Sequence, residues 1–91
     1  MTTGASNKKP AIPKRVAYRK LGNKITIVDP ESNTMITLNE VGSRVFELVG
    51  EPLEAIVESI CKEFEVDEAR ATREVEEFIY LLEKKRLLRT L

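Results

Sequence analysis

Residues 34–39 read Thr-Met-Ile-Thr-Leu-Asn, and within them a strand ends and a helix begins. Thr34 to Leu38 alternates polar and apolar side chains, as a half-buried strand does. This spacing predicts Ile36 and Leu38 inward, Met35 and Thr37 outward. Asn39 follows with a side-chain oxygen suited to the free amides of a helix start. Upstream, Val16-Ala17-Tyr18 opens one strand and Lys24 to Val28 forms another, with Gly22-Asn23 as the hairpin turn between them. Asp29-Pro30-Glu31-Ser32-Asn33 is a second turn cluster. The prediction is an antiparallel meander of three strands.

Downstream the period changes from two to 3.6. Val41, Val45, Phe46, Leu48 and Val49 make the stripe of a first helix that Asn39 caps and Gly50 closes. Leu53, Ile56, Val57, Ile60, Cys61 and Phe64 make a second helical face behind Pro52. Asp67 caps a third helix, with Ala71, Val75, Phe78, Ile79 and Leu82 inward and Arg70–Glu74 and Arg73–Glu77 as i,i+4 pairs. The fold class is α+β: a three-stranded antiparallel meander, then three α-helices. Residues 14–91 form this domain, and residues 1–13, with Pro10 and Pro13, read as a disordered basic arm.

Composition narrows the chemistry. The chain of 91 residues has no histidine and one cysteine, so the commonest general base and metal ligand is missing and the lone thiol cannot build a zinc site. No phosphate-binding glycine loop or nucleophile elbow occurs. Neither catalytic residues nor a metal or cofactor is expected. No window approaches the roughly 18 apolar residues of a membrane span, and no signal peptide opens the chain. The expected location is the cytoplasm, in keeping with a single cysteine. Net charge is zero but segregated: residues 1–24 carry +7 and the remainder −7. The basic tail has no aromatic residue before Tyr18 to stack on a base and reads as a solubilising arm.

The run from Ile25 to Leu88, led by the proline-flanked first strand, resembles the PqqD family, the small recognition elements that bind ribosomally made precursor peptides. The resemblance spans residues 13–88. It rests on the Leu38-Asn39 step, the first-helix pattern ending at Leu48, the short face Leu53–Phe64, and the endings Leu81-Leu82 and Leu87-Leu88. Leu38-Asn39 replaces a P-D-like step and Val49-Gly50-Glu51 a D-G step, which is similar to the broader PqqD-like group. The resemblance implies a winged-helix-like, non-catalytic fold. It also implies a leader peptide that adds as a strand to the third strand, against the third helix, for presentation to a maturase, commonly a radical S-adenosylmethionine enzyme.

An uncovered sheet edge fits that role, because strand addition satisfies backbone groups whatever the peptide's sequence. The residues expected to bind the peptide are Met35, Ile36, Thr37 and Leu38 on the strand, with Arg70, Glu74, Glu77, Phe78 and Leu81 on the third helix. Leu81 is apolar yet off the core line, so partial exposure is expected. A winged helix that binds DNA is the rival reading. Glu68, Glu74, Glu76, Glu77 and Glu83 on the third helix would repel phosphates, so nucleic acid is not an expected partner. A plain protein–protein adaptor would use the same edge.

Overall fold

The structure, a computed structural model, describes residues 9–90. Its elements are β1 (Pro10–Ala11), β2 (Ala17–Leu21), β3 (Lys24–Asp29), β4 (Thr34–Thr37), α1 (Glu40–Glu47), α2 (Leu53–Phe64), α3 (Glu68–Lys84) and β5 (Arg89–Thr90). Strands β2, β3 and β4 form an open antiparallel sheet in that order, and the three helices follow. This is the α+β meander and helix order that the sequence predicts.

The pleat sorts the sheet residues as the alternation requires. Ile25 and Ile27 are fully buried, Leu38 is buried and Ile36 half-buried, whereas Met35 is 72% exposed. The register pairs Tyr18 with Ile27 and Ile27 with Ile36, so these side chains share the inner face. The two-residue β2–β3 turn uses positive φ at Gly22 alone (62°), where a residue without Cβ meets no steric cost. Between β3 and β4, Asn33 takes the left-handed conformation (φ 57°). Asp29 Oδ1 accepts the Glu31 amide at 3.0 Å, closing the turn that Pro30 starts.

The helices begin where the caps predict. Asn39 Oδ1 accepts the Gly42 amide at 2.8 Å, and Asp67 Oδ1 accepts the Arg70 amide at 2.7 Å. Val45 and Phe46 of α1, Ile56 and Ile60 of α2, and Ala71, Val75, Ile79 and Leu82 of α3 meet the inner face of the sheet in one core. Each fully buried Leu, Ile, Val or Phe contributes about 1.5–3 kcal/mol. The Tyr18 ring sits edge-on to Phe46, with centroids 5.0 Å apart. Among the described residues no helix is long and apolar enough to cross a membrane.

Two features lie beyond the predicted plan. The first is at the chain's end, where α3 closes in a Schellman arrangement: the Leu87 amide donates to the Leu82 carbonyl at 2.8 Å and the Arg86 amide to Glu83 at 2.9 Å. Arg86 takes the left-handed C′ position (φ 62°) usual for glycine. The turn drops Leu87 and Leu88 into the core and leads into β5. The second is at the start. Residues 10–13, expected in a disordered arm, are packed: Pro10 and Pro13 are buried, and β1 pairs with β5, Pro10 opposite Thr90. Residues 1–8 of that arm lie outside the described residues.

Arg15 fastens these ends. Its Nε donates to Asp29 Oδ2 at 3.2 Å, and its Nη2 donates to the Arg86 carbonyl. Burial pushes the Asp29 carboxyl upward. Hydrogen bonds from Ser32 Oγ, the Glu31 amide and Arg15, with the guanidinium's charge, outweigh that and hold it below its ordinary 3.8. A lowered folded value gives a contribution that is whole above pH 3.8 and lost as pH falls through the folded value. Asp29→Asn is therefore expected to lower the melting temperature at neutral pH, and the gap from the parent should narrow below pH 3.8. Thermal melts across a pH series check this; a gap that stays constant into acid would contradict it.

Candidate peptide-binding edge and groove

Strand β4 is the edge of the three-stranded sheet. In an antiparallel ladder, residues alternate between bonding their neighbour and facing away from it. The Leu38 amide donates to the Ile25 carbonyl at 2.8 Å. Counting back in twos, Ile36 and Thr34 are the residues that bond β3, opposite Ile27 and Asp29. Met35 and Thr37 therefore turn their N–H and C=O groups outward, along the open side. The end of the strand is pinned by Ser43 of α1. Its buried hydroxyl accepts the Ile25 amide at 2.8 Å and donates to the Leu38 carbonyl at 3.3 Å, bridging the point where β4 leaves β3.

The opposite edge, β2, is guarded. It carries Arg19 and Lys20, and Lys20 Nζ reaches Glu47 of α1 at 2.6 Å. Charged side chains on an edge oppose further pairing. Thr34–Thr37 carries no charged side chain. The two edges thus differ in the property that decides whether a peptide can add.

Beside β4 lies a groove of about 440 Å³ between α1 and α3. All five helix residues expected from the sequence line it: Arg70, Glu74, Glu77, Phe78 and Leu81. Leu81 is 49% exposed, as its off-core position predicts. Met35, Ile36, Thr37 and Leu38 are not in the lining; Asn39, the next residue, is. The structure therefore gives an edge and a groove joined at Asn39, rather than one continuous pocket. Val41, Gly42 and Val45 of α1 also line the groove, and sequence reasoning assigned them no part in it. Their only signal was Val41 and Val45 at i,i+4 spacing, which core packing explains equally well.

Gly42 matters because of what it lacks. A Cβ there would stand 2.8 Å from Phe78 Cε1 and 3.2 Å from Asn39 Oδ1, closer than van der Waals contact allows. The missing side chain lets the half-buried Phe78 ring lie against the α1 backbone, leaving the space in front of it open. The charges are arranged unevenly. Arg70 Nε donates to Glu74 Oε2 at 3.0 Å. The expected Arg73–Glu77 pair is not formed among the described residues, and no other ion pair there engages Glu77.

A second, larger groove of about 670 Å³ runs between α2 and α3 over Leu53, Val57, Cys61 and Val66. Cys61, expected in the core, is half-buried at this groove because it sits at the margin of the α2 stripe. Among the described residues no group of three or more histidine, cysteine or acidic side chains could hold a metal ion.

The family model described as coenzyme PQQ synthesis protein D (PqqD) matches residues 25–88. A solved structure described as TbiB1 in complex with the TbiA(beta) leader peptide is 30% identical in sequence, with a TM-score of 0.81 over 85% of this chain and 92% of that one. A second, lasso peptide synthetase B1 complexed with the leader peptide, is 15% identical, with a TM-score of 0.78 over 91% of this chain and 98% of that one. At that identity the second shows the shared fold. No curated protein matches the sequence.

The geometry at Gly42 makes a direct prediction. Gly42→Ala sets a helix-propensity gain of at most about 1 kcal/mol against about 1–3 kcal/mol for displacing the Phe78 ring, so the domain should stay folded, as circular dichroism can check. The new methyl must push the Phe78 ring towards the groove. Aromatic and methyl NMR spectra should show shifts at Phe78 and Leu81 while Ile56 and Ile60 stay in place; unmoved Phe78 signals would contradict this placement.

Proposed function

We propose a function from one premise: the chain belongs to the PqqD family. It is a non-catalytic chaperone that binds the leader segment of a ribosomally made precursor peptide and presents that peptide to a modifying enzyme, a radical S-adenosylmethionine maturase or another. The observation that carries this reading is the outward alternation at Met35 and Thr37 on an edge without charge. The 30%-identical neighbour with a leader peptide bound supports it. The proposed setting is the cytoplasm, where such precursors are made.

The mechanism follows from the edge. A leader in extended form donates to and accepts from Met35 and Thr37, so the sheet grows by one strand without breaking any β3–β4 bond. Backbone pairing supplies affinity for any peptide; the side chains that alternate inward choose among them. The inward side chains reach Phe78 and Leu81 on α3 and Val41 on α1. Arg70, Glu74 and Glu77 form the rim. Binding orders the leader and leaves the rest of the precursor free for the enzyme that acts on it.

Two substitutions separate the components. Thr37→Pro removes a donor that faces the partner and leaves the backbone ladder to β3 intact, at the loss of the Thr37 Oγ1–Thr26 Oγ1 hydrogen bond of 3.0 Å; it should abolish strand addition. Leu81→Lys puts a charge where an apolar leader side chain sits and spares Val75, Ile79 and Leu82. Loss of a central anchor costs roughly 2 kcal/mol, about thirtyfold in affinity. Titration of a labelled precursor peptide reads both, with circular dichroism confirming the fold. A folded Leu81→Lys chain that binds as tightly as the parent would remove the groove from the account. Unchanged binding by folded Thr37→Pro would remove the edge.

A further inference from the structure

We infer that Glu77 makes this groove select leaders carrying a lysine or arginine on the same strand face as an apolar anchor, two residues from it. The inference rests on the leader-binding reading and adds the chemistry of the peptide. Three charged side chains line the groove, and two of them, Arg70 and Glu74, neutralise each other at 3.0 Å. Glu77 is left with no ion-pair partner among the described residues. The groove's net charge is therefore that of one carboxylate, and a cation in the occupant complements it.

Spacing fixes where that cation must be. Side chains on one face of a strand recur every second residue, roughly 6.5–7 Å apart. Glu77 and Leu81 are four residues apart on α3, a rise of about 6 Å. A leader running along the helix can thus set an apolar side chain on Leu81 and Phe78 and a basic one on Glu77 from positions i and i+2. An acidic residue at that second position would face Glu77 directly and be disfavoured.

The test uses a yeast-displayed library of random peptides, panned against the whole chain and against Glu77→Lys. The parent is expected to enrich Lys or Arg two positions from an aliphatic or aromatic residue. Glu77→Lys is expected to enrich Asp or Glu there instead. A synthetic peptide from the parent's pool should lose roughly tenfold in affinity for Glu77→Lys and weaken with added salt. The same basic preference in both pools, or none in the parent's, overturns the inference while leaving leader binding intact, provided that the enriched peptides fail on Thr37→Pro. A panning that enriches nothing from either chain overturns the inference and the leader-binding reading together.

Discussion

A β-strand at the edge of a sheet bonds its neighbour through every second residue only, and this constraint organises the molecule. In β4 the bonds to β3 use Thr34, Ile36 and the following Leu38; the groups of Met35 and Thr37 are left for water or a partner. Strand β4 stays firm despite this because its inward residues join the core and Ser43 ties its end to both Ile25 and α1. Recognition therefore needs no rearrangement of the sheet: the partner's backbone replaces water on groups that already point outward.

The small size of the domain explains why one edge is open and shallow. A chain this short buries only about 60% of its unfolded surface, and its helices are spent on the inner face of the sheet. What remains protects selectively. Lys20 and Glu47 brace β2 against α1, while Arg15 draws Asp29 and the Arg86 carbonyl together where β3, the following turn and the C-terminus meet. Those contacts reach β4 only at its first residue, Thr34, which pairs with Asp29 and bonds Ser32 Oγ at 2.8 Å. Beside β4 the walls are Val41, Phe78 and Leu81, and Gly42 keeps the ring of Phe78 back against α1. Shape at this site is set by an absent side chain, and charge by one carboxylate that the local ion pair does not reach.

How much of this the sequence reveals depends on how local the determinant is. The strand at Thr34–Leu38 and the caps at Asn39 and Asp67 depend on neighbouring residues, so period and cap chemistry were sufficient. Leu81's exposure was legible because a helix places each residue at a known angle from its core stripe. Strands β1 and β5 were not, since two residues have no period and each strand exists only because the other end of the chain lies beside it. Arg86 in a left-handed turn carries none of the glycine signal that usually marks one. Gly42, inside the first helix, carries no sequence signal of its role until Phe78 is seen against it, 36 residues later in the chain. Glu77 reads as the partner of Arg73 until the pair is seen not to form.

Amide hydrogen exchange on the chain, free and saturated with its precursor peptide, tests the central claim most directly. The amides of Ile36 and Leu38, bonded to β3, should exchange slowly in both states. Those of Met35 and Thr37 should exchange fast in the free chain and become protected when peptide is bound. Protection at Tyr18 and Lys20 on the β2 edge instead, with Met35 and Thr37 still fast, would contradict strand addition at β4.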